Sequence, residues 1–244
     1  MRAIFKREVS AYFNSLIGYI FLAAFFAASG VLFGITSVTK SPTDGLLYLT
    51  TDMSGMYSIL FFALLVLIPI LTMRTLSEDK KNKTDQCLLT APISLNALVL
   101  GKFLAAFMIY SIGVCMTLVY AIVLNFFAEV IWLEVLGNVV GLLLVGAAFI
   151  SVGVFISSLT ENQVIAAVGG FVSMCALYLI SSIAAIIPID WIKNILMKLS
   201  FADRYYRFTY GIFDFSNVLF FISAAVIFLF LTVRVLERRR WTNS

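Results

Sequence analysis

Acidic and basic side chains stand back to back at Glu78, Asp79, Lys80 and Lys81, within a polar stretch from Met73 to Lys102 set between long apolar runs. At that spacing they form ion pairs along a helix and give a surface an electrostatic register for a partner. Other chemistry is excluded by composition. The chain has no histidine, which removes imidazole acid–base catalysis, H-E-x-x-H metal sites and Ser-His triads. It has no G-x-x-x-x-G-K-[ST], so it does not cradle nucleotide phosphates in a P-loop. Cys115 and Cys175 lie inside apolar runs and Cys87 in the charged segment, an arrangement that implies no disulfide. No apolar run holds a pair of aspartates. The chain therefore reads as a non-enzyme, with no cofactor or metal of its own.

The elements that must position the charged segment are set by hydrophobicity. Hydrophobic residues make up 62% of the chain and charged residues 12%, with a mean hydropathy of +1.04. Soluble domains run about 45–50% apolar and about 25% charged, so this chain has too little polar surface to be one. Six runs are long enough, or nearly so, to cross a bilayer as helices: Leu16–Val38, Tyr57–Met73, Leu95–Phe127, Leu136–Leu159, Val164–Ile187 and Val218–Val235. Backbone groups cannot stay unpaired in lipid, and the alternation of a barrel strand is missing, so each run is expected to be helical. The expectation is an all-α membrane protein of six transmembrane helices forming a single domain over residues 1–244.

Three shorter segments complete it. Residues 1–14 put Phe5, Val9, Tyr12 and Phe13 on one side of a helix and Lys6, Ser10 and Asn14 largely on the other, as an interfacial helix would. The run that follows is too long for a signal-peptide core and has no cleavage pattern, so no cleavable signal is expected. Residues 77–94 read as a short amphipathic helix over Ser77–Thr90. Ser77 would cap it, Glu78–Lys81 and Asp79–Lys83 would pair along it, Ala91-Pro92 would stop it, and Ser94 would cap the next span. Residues 188–201 space Trp191, Ile192, Ile195, Leu196 and Leu199 for a helix in the opposite interface, followed by a polar, aromatic-rich surface from Asp203 to Tyr210. The first loop on that side, Thr39–Gly55, is expected to be partly irregular.

Charge placement orients the chain. With the N-terminus inside, the inner side holds Arg2, Lys6, Arg7, Arg74, Lys80, Lys81, Lys83, Lys102, Arg234, Arg238, Arg239 and Arg240. Only Lys40, Lys193, Lys198, Arg204 and Arg207 fall outside. The bias puts both termini in the cytoplasm. It also accounts for the net charge of +4 as topology, with no nucleic acid among the partners. Span centres lack ionisable residues, which disfavours an ion-coupled carrier and points to an engine on another chain.

The polar stretch carries a more specific signal. Glu78, Asp79, Lys80, Lys81, Thr84, Leu88, Leu89, Thr90, Pro92, Ile93 and Ser94, then Gly101-Lys102 at the start of the third span, resemble the permeases of ABC-2-type exporters, nearest the gliding-motility-associated ones. The family pattern is similar to E-[ED]-K-[RK]-x-G-T-x-E-x-L-L-T-x-P-[IL]-S. Lys83 stands here in place of its glycine and Gln86 in place of its glutamate. The resemblance implies a bacterial inner-membrane permease that pairs with a second copy or a related permease above two ATPase subunits, which bind ATP and magnesium. It implies a coupling helix after span two and a re-entrant helix before span six. The ATPase contacts it implies are Phe5, Lys6, Arg7 and Glu8, then Glu78, Asp79, Lys80, Lys81, Thr84, Leu88 and Leu89, and Glu161 and Asn162 between spans four and five. Small-residue faces permit close helix approach. Those of span one (Ala23, Ala27, Gly30, Gly34) and span five (Ala166, Gly170, Ser173) are expected at the permease–permease seam, and Gly137–Gly141 within one subunit. The competing readings are an ATP-independent channel or secondary carrier, and a membrane scaffold.

Overall fold

Helices apolar on every face are stable only in lipid or deep inside a bundle, and six of that kind make up most of this chain. The computed structural model describes residues 2–40, 47–49, 53–83, 94–127, 130–187, 189–209 and 214–242. Helix α1 (Arg2–Asn14) precedes α2 (Leu16–Ser37), the first span. Strands β1 (Val38–Lys40) and β2 (Leu47–Leu49) then pair antiparallel, with Thr39 opposite Tyr48. Span two is α3 (Ser54–Thr72), continued through a turn into the short α4 (Ser77–Lys81). Span three is α5 (Leu95–Met116) followed directly by α6 (Leu118–Asn125). Spans four and five are α7 (Trp132–Leu159) and α8 (Gln163–Ile186). Two short helices, α9 (Asp190–Leu199) and α10 (Phe201–Thr209), lead to span six, α11 (Phe215–Thr242). The six helices are long and apolar enough to cross a membrane, and their bounds fall close to those expected. An even number of crossings puts α1, α4, the α7–α8 turn and the end of α11 at one end of the bundle.

Span four is the mast. It packs against α3, α5, α8, α10 and α11, and 67% of its most apolar window is buried, the largest share of any span. Glycines allow this crowding. A Cβ at Gly146 would stand 2.0 Å from the Tyr110 ring of span three, and one at Gly153 would stand 2.1 Å from Thr72 Oγ1 of span two. Tyr110 is fully buried and donates to Leu142 O at 2.6 Å, so the ring has nowhere to retreat. Gly141 likewise faces Phe208 of α10, in keeping with a packing role inside the subunit.

Three expectations change and a fourth gains detail. The span-three helix is interrupted at Thr117, where an N–H···O bond to Val114 closes a tighter turn and the hydroxyl bonds the same carbonyl. The loop after span one contains the β pair. The segment expected as a polar surface from Asp203 is helix α10, whose Phe201, Tyr205 and Phe208 are buried and whose Tyr205 donates to Tyr57 O at 3.0 Å. The span-five stripe does not face outward. Ala166 and Gly170 are buried within this chain, Gly170 against Pro69 of span two, and Ser173 hydrogen-bonds to Gly169 O. On span one, by contrast, Ala23, Ala27 and Gly34 are exposed, and Gly30 lies under Tyr120. Spans one and five are the least buried, at 22% and 17%, but the open face of span five is built of Val168, Phe171, Val172, Leu179 and Ile183.

Candidate functional site

The polar residues at the end carrying both termini converge on Lys102. This lysine sits in the second turn of span three and is 2% exposed. Its ammonium donates to Glu8 Oε1 of α1 at 3.2 Å and to Thr75 O at 2.6 Å, and forms an ion pair with Asp79 Oδ2 of α4 at 2.6 Å. Arg7 adds a second cation to Glu8 at 2.7 Å, so two carboxylates are balanced by two positive groups. The neighbouring Gly101 has a companion task. A Cβ there would stand 2.9 Å from Ile4 Cγ2, so only glycine lets α1 lie this close to span three. Gly101-Lys102 thus seats and clamps α1 in two consecutive residues.

A second set of bonds ties α4 to span four. Ser157 Oγ accepts from the N–H groups of Leu76 and Ser77, at 3.1 and 3.0 Å, and donates to Met73 O at 3.2 Å. Lys80, 5% exposed, donates to Ser158 O. Helix N-termini leave N–H groups without intrahelical partners, and here span four supplies the acceptor. That accounts for a departure from expectation. Ser77 does not cap α4, because Leu76 occupies that position, and the Ser77 hydroxyl turns back to Met73 O. The ion pairs seen among the described residues reach beyond α4: Glu78 joins Arg74 at 2.8 Å, and Asp79 joins Lys102.

α1 is held at its far end as well. Tyr12 is buried and donates to Leu71 O at 3.1 Å. Burial pushes its phenol well above the usual range, and the Glu8 carboxylate pushes the same way, so it stays a donor. A cavity of about 130 Å³ opens between α1 and the turn after span two, lined by Glu8, Tyr12, Ser15, Arg74, Thr75 and Glu78 among others.

The residues singled out by sequence therefore divide. Glu8, Asp79 and Lys80 are internal struts. Phe5 packs on the core, Lys6, Arg7 and Lys81 are exposed, and Glu78 is part-exposed on its pair with Arg74. Glu161 is exposed at the α7–α8 turn. Asn162 is exposed too but caps α8, its Oδ1 accepting from the Val164 N–H at 2.9 Å. Ser94 takes the N-cap position of span three without a side-chain bond. Thr84, Leu88 and Leu89 lie outside the described residues. Lys102, Ser157, Ser158, Tyr12 and Arg74 complete the site.

A family model described as ABC-2 family transporter protein matches residues 45–234. The chain belongs to the ABC-2 transporter family. No curated protein matches it. It is a multi-pass membrane permease of that family, whose membrane domain is not itself catalytic and generally works with an ATPase subunit. The ABC-2 motif glycine now has a physical reason. Its position, Lys83, follows the Asn82 cap of α4 and has a φ of 56°, a left-handed conformation that side chains with a Cβ disfavour. Lys83→Gly should stabilise the permease by about 1 kcal/mol, read from thermal unfolding in detergent. An unchanged or lower midpoint would speak against it.

Proposed function

We propose that this permease is the membrane-spanning half of an ATP-driven exporter, nearest the gliding-motility-associated permeases. It would pair with a second permease, identical or related, above two separate ATPase subunits that carry the ATP and magnesium. Both termini would face the bacterial cytoplasm. The observation that carries the reading is the Lys102 junction. One ammonium joins α1, α4 and span three, while Ser157 and Ser158 join α4 to span four. A push on α4 from below would reach two spans and the N-terminal helix without a slack link. The exposed charges around it, Lys6, Arg7, Glu78, Lys81 and Glu161, would form the surface that orients the ATPase. The open faces of spans one and five would meet the other permease, the first mixing Ala23, Ala27 and Gly34 with Ile20, Val31 and Ile35, the second built of large side chains.

Glu78→Lys tests the docking role with little risk to the fold. Among the described residues the Glu78 carboxylate is bound to Arg74, in a part-exposed pair whose loss costs less than about 1 kcal/mol. Asp79 is unsuited to the test, because its reversal would break the Lys102 junction. With the permease purified from its own membranes, we expect an ATPase to accompany the wild type, and Glu78→Lys to weaken that association about tenfold. Equal recovery with the variant removes Glu78 from the docking surface. Solute flux through liposomes holding this chain alone would overturn the whole reading in favour of a channel or carrier.

A further inference from the structure

At the opposite end of the bundle, a cavity of about 440 Å³ lies between α9, α10 and the start of span six. Its walls include Lys198, Arg204, Arg207 and Asn217, with the carboxylates Asp203 and Asp214. Asp214 is engaged at the head of α11, its Oδ1 accepting from the Ser216 N–H at 2.9 Å, and Arg207 approaches its other oxygen only to 4.0 Å. Arg204 is the anchored member. Nε and one terminal nitrogen donate to Lys198 O at 2.9 and 2.8 Å, the other donates to Asn217 Oδ1 at 2.9 Å, and the guanidinium lies 4.2 Å from the centre of the Phe220 ring.

Three of its five N–H groups are thereby used, and among the described residues no carboxylate lies within ion-pair distance of it. Burial lowers its pKa and the charge of Arg207 adds to that, while Asp214 acts the other way from beyond ion-pair distance. A part-buried, oriented cation without a counter-ion is an incomplete arrangement. Asn217 is 2% exposed, and its Nδ2 has no hydrogen-bond partner among the described residues. The amide orientation is fixed, since Oδ1 already accepts from Arg204. Unused donors and a net positive charge around one cavity call for an anion with several acceptor oxygens. The fork of arginine suits phosphate.

The setting points to a lipid as its source. No residue of α9 is buried, and Trp191 is 73% exposed beside Ile192, Ile195 and Leu199. An amphipathic helix with an outward tryptophan belongs at the headgroup level. We propose that this cavity binds a phosphate group, that of a phospholipid whose headgroup rests on Arg204 and whose chains run along α9.

The test compares lipids that share their acyl chains and differ in carrying a phosphodiester headgroup. Delipidated wild-type permease is titrated with dioleoylphosphatidylglycerol or dioleoylglycerol and bound lipid is counted by native mass spectrometry, while inorganic phosphate is tested by thermal shift. We expect at least about tenfold tighter retention of the phospholipid, lost in R204Q and reduced in the surface-exposed variant R207Q. The R207Q arm guards against misfolding of R204Q, and the wild-type comparison needs no variant. Stabilisation by inorganic phosphate that vanishes in R204Q, without discrimination between lipids, would keep the phosphate site and assign it a free anion. No response to either, or a phospholipid preference untouched by both substitutions, overturns the proposal.

Discussion

Lys102→Met should lower the stability of the permease by about 3–5 kcal/mol, because it leaves two carboxylates facing each other with their shared cation removed. Methionine nearly matches lysine in length and apolar stem, so packing is conserved and the loss is electrostatic. Glu8 and Asp79 are 14% and 20% exposed, and the Thr75 carbonyl beside them loses its donor as well. A surface pair would lose under about 1 kcal/mol on the same treatment, so the size of the effect separates a buried junction from a solvated one. Neutralising the partners should recover most of the loss: in Lys102→Met with Glu8→Gln and Asp79→Asn no carboxylate is stranded, and Arg7, which loses Glu8, is exposed to water. Unfolding midpoints in detergent, measured for both variants, check this. A single variant that melts with the wild type would show that α1 and α4 are not held through Lys102.

Much of the scaffold was readable because lipid leaves a chain few choices. A run of apolar residues must close its backbone bonds internally, and the six runs became six helices with ends shifted by only a few residues. Lys102 left a signal that the sequence reading did not use, a lone charge two turns into an apolar run, where a cation needs a partner. Its partners were not legible. Glu8 and Asp79 are 94 and 23 residues away along the chain, and only the folded base brings them within reach. Small residues proved ambiguous for a related reason. Gly170 and Gly34 both signal that something comes close, but Gly170 meets Pro69 of its own chain while a Cβ at Gly34 would meet no neighbouring element within 4 Å among the described residues. Helix α10 carried its signal in Phe201, Tyr205 and Phe208 at helical spacing, obscured by Asp203, Arg204 and Arg207 on the other side. The ion pairs expected within α4 followed a correct local rule that tertiary partners overrode: Lys102 offered Asp79 a buried site, and Arg74 offered Glu78 the preceding turn.

The cap that sequence assigned to Ser77 is supplied from span four, and removing it should show how α4 is fastened. Ser157→Ala leaves the N–H groups of Leu76 and Ser77 without an acceptor, at about 1–3 kcal/mol for each, while the Met73 carbonyl keeps the Ser77 hydroxyl. Ser157 is fully buried, so water does not readily take the place of the hydroxyl. The loss is local to the turn after span two, because Lys102 still holds Asp79 and Lys80 still reaches Ser158 O. Hydrogen exchange should therefore quicken at least about tenfold in residues 76–81, with little change in the core of span four near Gly146. In a complex with its ATPase, we expect nucleotide hydrolysis to continue while transport falls, since the push would meet a loosened joint. Exchange that rises evenly through the bundle would mean that Ser157 serves overall stability instead. Exchange unchanged at 76–81 would mean that α4 is held by Lys80 and Asp79 alone, and that the joint to span four runs through Lys80.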